Sequence, residues 1–264
     1  IRAYKINCNQ AFCLISIIRM NLSEVTKNKS DKLRMSDKLI LANEGVFPVV
    51  KDKNGDVLKE IPATGMSFAG TIQGEGKLAG VPSLFIRLSS CNLRCIWQLP
   101  DGSYSKCDTP YASFDAKGLN QLDINEIIDI VRHNLGPIRH VVLTGGEPLL
   151  QLDETAIAAL KAEGFEIAVE TNGTIEAPEG LDWICVSPKS TAPLKQRSGH
   201  ELKLVYPQAD AMPDLFENLD FGAFRLQPMD GPHQMENAKA AFEYCLTHPQ
   251  WSLSLQTHKW IGVD

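Results

Sequence analysis

Cys91, Cys95 and Cys107 stand on one short stretch, SSCNLRCIWQLPDGSYSKCDTPY, which holds three of the chain's seven cysteines. Three residues separate the first two and eleven the last two. Three thiolates on one polar loop can bind a metal or an iron–sulfur cluster, and a [4Fe–4S] cluster with three cysteine ligands keeps one iron open. Zinc is the competing reading, but a structural zinc site closes with four ligands, commonly in short paired spacings. No fourth cysteine lies nearby, and the nearest histidine downstream is His133. A disulfide with one spare thiol is the third reading. Spacing alone leaves all three open.

Further polar motifs recur along the chain: TGGEP at 144–148, ETNG at 170–173, SPK at 187–189, LQP at 226–228 and QTHK at 256–259. Each follows an apolar run. SLFIRL (83–88), HVVLT (140–144), FEIAVE (165–170), WICVS (183–187), ELKLVY (201–206), AFRLQ (223–227) and WSLSLQ (251–256) are rich in β-branched and aromatic residues and end in turn formers, so they read as strands. DINEIIDIVRHN (123–134), DETAIAALKAEG (153–164) and QMENAKAAFEYCLTH (234–248) have helical spacing. Asp123 with Glu126 three residues on is a capping-box signature. Strands alternating with helices predict a parallel α/β sheet. Sites in such folds gather at the C-terminal strand ends, so motifs distant in sequence are expected on one face. The connections 171–182 and 188–200 are too short for full helices. The fold expected is therefore a partial or irregular (β/α) barrel.

The chain has 264 residues, 44% of them hydrophobic and 22% charged, with a formal net charge of -6. That suits one globular domain and excludes a general binder of nucleic acid or membrane surface. An odd number of cysteines in a chain of this size points to a reducing, cytoplasmic setting rather than a disulfide framework. Near the N-terminus, CNQAFCLISIIRM is apolar for too few residues to span a bilayer, which takes about 20. The polar NLSEVTKNKSDKLR after it is expected to be disordered. Residues 1–34 are thus expected to lie outside the working fold, with Met35 opening a single domain over 35–264; a weak signal peptide is the rival reading. Cys8 and Cys13 fall in that leader, whereas Cys185 on a strand and Cys245 on a helix read as buried hydrophobes.

SCNLRCIW, CDTPY, TGGEPLLQ and ETNG together resemble the radical S-adenosylmethionine (SAM) superfamily. Its members usually space their three cysteines by three and then two residues. If Ile96 and Trp97 fill the usual two positions, 98–106 is a nine-residue insertion. Its sequence, QLPDGSYSK, is rich in turn formers and is expected to bulge outward, leaving Cys107 in place. GTIQGEGKLAGVPSLFIRLSSCNLRC, CDTPY, TGGEPLLQ, VSPK, RLQPM and LSLQTHK more narrowly resemble the 7-carboxy-7-deazaguanine synthase family, over about Gly70 to Lys259.

The resemblance implies a lyase of queuosine and 7-deazapurine biosynthesis. The reaction it implies is ring contraction of 6-carboxy-5,6,7,8-tetrahydropterin with loss of ammonia, started by hydrogen abstraction at C6. A 4Fe-4S cluster on Cys91, Cys95 and Cys107 would reduce S-adenosyl-L-methionine, with Mg²⁺ assisting. By the same resemblance Thr109 is the Mg²⁺ ligand, Asp108 lies beside SAM, Gly146 lines SAM and Thr144 faces substrate. Glu147 or a neighbouring carbonyl is a candidate acceptor for the SAM ammonium. Glu170 is a candidate for the SAM amino group or ribose, with a helix cap or a lysine pair as the plain alternative. Ser187 and Lys189 are candidates for the SAM carboxylate or ribose; Gln227, Pro228 and Met229, with Asp230, for the adenosine; Trp97 for packing on SAM or the cluster. For substrate, the guanine-like edge suits Ile72, Gln73 and Gly74, with Glu75 as a carboxylate acceptor. Arg87 is the expected fork for the substrate carboxylate. His258, with Lys259, and the terminal carboxylate at Asp264 are expected to complete the pocket. The partners implied are a flavodoxin- or ferredoxin-type electron donor and a second copy in a homodimer. The rival readings are a radical SAM activase of a glycyl radical enzyme and a zinc-stabilised binding module.

Overall fold

The computed structural model describes residues 38–40, 50–51, 57–59, 70–98, 104–107, 121–134, 136–190 and 192–263. The leader 1–34 and the candidates Asp108, Thr109 and Asp264 lie outside them. Eight strands make the main sheet: β1 (Thr71–Ile72), β2 (Pro82–Leu88), β3 (His140–Gly145), β4 (Glu166–Thr171), β5 (Trp183–Val186), β6 (Glu201–Tyr206), β7 (Phe224–Pro228) and β8 (Trp251–Leu253). Every strand lies beside its predecessor in the chain. β1 runs antiparallel to β2, and all the later neighbours are parallel.

Sequential order matters because parallel crossovers share one hand, so the connections all pack on one face and the other face is free to line an interior. Three helices occupy that outer face: α1 (Ile124–Asn134), α2 (Glu154–Ala162) and α3 (Gln234–Thr247). No helix fills 172–182, and no described residue of 188–200 is helical. This is the irregular barrel expected from the short connections. Among the described residues, β1 and β8 remain unpaired sheet edges.

Helix starts follow the local signals. The Asp123 carboxylate accepts from the amides of Asn125 and Glu126, both at 2.9 Å, while Glu126 reaches back to the Asp123 amide at 2.8 Å. Asp153 caps α2 by accepting from the Ala156 amide. Each cap contributes ~1 kcal/mol.

Strand residues alternate between two chemistries. Leu84, Ile86, Leu88, Val141, Leu143, Ile167 and Val169 face outward and form one core with Ile127, Ile128, Val131 and Leu160 of α1 and α2. A second core joins Val186, Leu202, Leu204, Leu226 and Trp251 to Ala241 of α3. Burying each large side chain contributes roughly 1.5–3 kcal/mol. Inward, Phe85, Val142, Ala168 and Trp183 form one cross-strand row and make an apolar floor. One step toward the C-terminal strand ends the row turns polar, with Arg87 opposite Thr144 and Glu170, Cys185 and Glu201 aligned across β4, β5 and β6. Lys203 and Arg225 sit side by side beyond. Cys185 is buried, as read from the sequence, and Cys245 packs half-buried against the second core. No described helix is long and apolar enough to cross a membrane.

Candidate active site

The cysteine loop leaves the C-terminal end of β2 and is splinted by the TGGEP turn after β3. The Gly146 amide donates to the Leu88 carbonyl at 3.0 Å, the Glu147 amide to the Ser90 carbonyl at 2.9 Å, and the Gln151 side chain to the Ser89 carbonyl. A Cβ on Gly146 would lie 2.2 Å from the Ser90 oxygen and 2.9 Å from the Cys91 Cβ. The turn therefore needs glycine there for close approach to the cysteine loop itself.

Glu147 is fully buried, and its carboxylate accepts from the Leu149 amide, the Thr171 hydroxyl and the Asn172 amide at 3.0, 2.7 and 2.7 Å. Burial pushes its pKa above the ordinary carboxylate range, and those three donors pull it back. Its acceptor capacity goes to tying the β3 and β4 loops together. ETNG works on the same loop. Asn172 donates to Asn92 at 3.1 Å and lies 3.9 Å from Cys91 Sγ, and Asn92 donates to Thr174 at 2.7 Å.

Cys95 and Cys107 are brought opposite each other by a hairpin. Ile96–Gln98 pairs antiparallel with Tyr104–Lys106, and the Cys107 amide donates to the Cys95 carbonyl at 3.3 Å. Trp97, on that hairpin, donates its indole N–H to Gln208 at 3.0 Å, and Gln208 also accepts from the Ser190 amide. Gln208 thus pins the hairpin to the loops after β5 and β6.

All three cysteines are half-buried free thiols. Burial raises the Cys91 pKa, the Leu93 amide at 3.4 Å from its sulfur lowers it, and Glu147 and Cys107 raise it further. Burial also raises Cys95, against Lys189, while Cys107 and Cys91 add to the rise. The three sulfurs thus share one electrostatic environment with Lys189. Among the described residues no group of three His, Cys, Asp or Glu side chains is gathered closely enough to hold a metal ion as it stands. Lys189 is itself lowered by burial, and its ammonium donates to the Ser187 carbonyl at 2.9 Å and to the Ser187 hydroxyl. Ser187 and Lys189, paired in the sequence reading, are thus in direct contact beside the thiols.

The TIQGEG loop is drawn across the gap between β1 and β8. Gly74 receives hydrogen bonds on its carbonyl from the Thr257 amide at 2.8 Å and hydroxyl at 3.1 Å. A Cβ on Gly74 would fall 1.7 Å from His258 Nδ1, so the imidazole lies directly on the glycine. Gln73 is buried and donates to Glu170 at 3.1 Å. Glu75 accepts from Gln256 at 2.8 Å and pairs with Lys203 at 2.9 Å. Burial alone would raise the Glu75 pKa, but Lys203 and the Gln256 and Gln227 amides hold it at about 2. Gln227 also accepts from Ser254 at 2.8 Å.

Glu170 pairs with Lys203 at 2.9 Å. Arg87 and Thr144 face each other on the inner face, both half-buried. Ile72 sits on β1 opposite Pro82. Pro228 and Met229 are buried, with the Met229 carbonyl accepting from Asn237. Asp230 is exposed and pairs with Lys259. Lys203, Glu201 and Gln208 carry much of the geometry without being singled out by the sequence reading, whereas Asn172 and Ser254 fall inside ETNG and LSLQTHK without a role of their own. ELKLVY registered there as a strand, and its alternating inward charges were the available signal.

The profile of the radical SAM superfamily matches residues 87–201, which span the cysteine loop, the TGGEP turn and β4 to the start of β6. A 7-carboxy-7-deazaguanine synthase of Bradyrhizobium diazoefficiens is 52% identical over 202 residues, covering 73% of this chain and 95% of the relative. One from Caulobacter vibrioides is 51% identical with the same coverage. The crystal structure of QueE from Escherichia coli superposes with a TM-score of 0.57 at 26% identity, over 72% of this chain and 91% of that one. On these matches, and with three thiols and their glycine splint at the C-terminal end of β2, the chain belongs to the radical SAM superfamily and, within it, to the 7-carboxy-7-deazaguanine synthase family.

Proposed function

We propose that this protein converts 6-carboxy-5,6,7,8-tetrahydropterin to 7-carboxy-7-deazaguanine with release of ammonia. The observation that carries the reading is the match to synthases at up to 52% identity over 95% of the relative and 73% of this chain, combined with the cysteine and TIQGEG loops standing on one barrel. The residue types suit a cluster, which would have to draw the three thiols together to bind. Cys91, Cys95 and Cys107 are free, half-buried thiols, the Leu93 amide already points at one of them, and Gly146 leaves no side chain against their loop. When bound, a [4Fe–4S] cluster and SAM supply the one-electron chemistry that breaks an unactivated C–H bond, for which no side chain is competent.

The chain's own work is binding and orientation. Lys189, held by Ser187, presents an ammonium suited to a SAM carboxylate. With Glu147 committed internally, backbone carbonyls of the TGGEP turn are the better acceptors for the SAM ammonium. Arg87, on the inner face between the floor and the cysteine loop, suits the substrate carboxylate. The backbone of Gln73 to Glu75 suits its guanine-like edge, and His258 lies over Gly74 at the same place. Thr109 is assigned to Mg²⁺ and Asp108 to the surroundings of SAM on sequence resemblance alone, as is the Asp264 carboxylate to the pterin. A flavodoxin- or ferredoxin-type donor, a cytoplasmic setting and a homodimer complete the proposal.

The test is anaerobic reconstitution with iron and sulfide, followed by turnover with SAM and the tetrahydropterin. A brown protein that forms the deazapurine and ammonia supports the assignment. A colourless zinc protein, or one that instead installs a glycyl radical on a partner, overturns it.

A further inference from the structure

The four residues 74–77 have no strand or helix of their own, yet each is gripped in turn by a different partner. Thr257 holds the Gly74 carbonyl. Lys203 and Gln256 hold the Glu75 carboxylate. The Ser254 hydroxyl accepts from the Gly76 amide at 2.9 Å, and the Glu201 carboxylate accepts from the Lys77 amide at 2.7 Å. A Cβ on Gly76 would fall 2.0 Å from Glu201 Oε1, so this approach is as close as the backbone permits. Glu201 and Lys203 are consecutive inward residues of β6, and they hold neighbouring residues of the same loop.

Lys203 differs from the other grips because it joins two elements. Its ammonium is 2.9 Å from Glu75 on the loop and 2.9 Å from Glu170 near the end of β4. Glu170 in turn accepts from Gln73, the residue that opens the loop. Lys203 is only 6% exposed. Two half-buried carboxylates that lose their common, almost fully buried cation are disfavoured, so either the loop or β4 must give way.

We infer that Lys203 is a positioning residue for the substrate: it clamps Glu75 to Glu170 and thereby holds the 73–75 backbone in the conformation that receives the pterin edge. This rests on the proposed reaction for its substrate but not for the clamp itself. Lys203 is placed where it sets binding of substrate rather than cleavage of SAM, because its contacts run to Glu75 of the TIQGEG loop and to Glu170, which holds Gln73 of that loop, and none of the described ones reaches the cysteine loop.

The test is Lys203→Met, which keeps the side chain's reach and removes its charge, with Lys203→Arg as the charge-conserving comparison. For Lys203→Met the expected result is a KM for the tetrahydropterin raised about tenfold or more, with kcat changed far less. Hydrogen exchange of the 74–77 amides should speed up by at least about tenfold. Lys203→Arg should restore most of the exchange protection. Unchanged KM and unchanged exchange in Lys203→Met overturn the inference. If Lys203→Met does not fold, Glu170→Gln cuts the other half of the clamp, and exchange of the 74–77 amides alone decides: unchanged exchange overturns the inference. Should the wild-type protein fail to turn over the tetrahydropterin, the proposed reaction falls while the exchange measurement still decides the clamp.

Discussion

Replacing Gly146 by alanine adds one carbon at the tightest point between the two loops that carry the site. The new Cβ would stand 2.2 Å from the Ser90 oxygen, 2.7 Å from the Ser90 carbonyl carbon and 2.9 Å from the Cys91 Cβ, where ordinary contact begins near 3.4 Å. Two of those three atoms are backbone, so no flexible side chain can swing aside. Gly146 has no left-handed φ, which makes the glycine a requirement of space alone. The cysteine loop must retreat by about 1 Å, and a shift of that size in reacting groups costs on the order of 10²-fold in rate. Overpacking costs ~1–3 kcal/mol, and the Gly146–Leu88 and Glu147–Ser90 hydrogen bonds contribute ~1 kcal/mol each, so a loss of roughly 3–5 kcal/mol is expected if both bonds break. The assays are thermal unfolding, iron and sulfide content after anaerobic reconstitution, and turnover. Gly164→Ala is the control, since that site has open space around it and only its φ of +78° to strain. Its iron content should match wild type. Gly146→Ala with wild-type iron content and turnover would refute the splint argument.

Cys107→Ala is expected to abolish the intact cluster, measured by iron content and visible absorbance; normal turnover would remove Cys107 from the ligand set. Arg87→Ala should raise KM for the tetrahydropterin while reductive cleavage of SAM persists, and an unchanged KM would take Arg87 out of the substrate site. Glu147→Gln places an amide NH₂ where three donors now converge, so unfolding should come earlier by roughly 1–3 kcal/mol; an unshifted transition contradicts this. The Glu75 pKa, at about 2 in the fold against an ordinary 4.5, is depressed, so the stability it contributes is complete above pH 4.5 and is lost as pH falls through about 2. The shift corresponds to roughly 3 kcal/mol at most, and urea unfolding should show wild type losing more stability over that window than Glu75→Gln. Parallel losses in the two proteins would contradict the pairing.

How far the sequence carries depends on the range of the interaction. Strands β2 to β7 were visible as apolar runs, and their observed ends fall within a residue of the expected ones because turn formers stop them locally. α1 was visible down to its capping box, since Asp123 and Glu126 act on backbone only a few residues away. β1 escaped, being two residues long with no alternation to reveal it. The run WSLSLQ reads as a strand to 256, but the strand ends at Leu253; the Ser254 amide still donates to the Leu226 carbonyl while its hydroxyl serves the Gly76 amide and Gln227.

The chemistry of the site was likewise local at its centre and remote at its margins. Three thiols on one loop, a glycine turn after a strand and an arginine before the cysteines are properties of neighbouring residues, and sequence alone determined them. Which groups hold those motifs in place was settled only by the barrel. Lys203 reads as one charge in ELKLVY until curvature brings Glu75 and Glu170 to it from separate elements. Gly76 and Ser254 meet across 178 residues of chain. A carboxylate such as Glu147 shows the same division. Its presence in TGGEP marks it as a candidate acceptor for a ligand, whereas burial between two loops gives it three internal donors, because a buried charge survives only where the fold supplies partners for it.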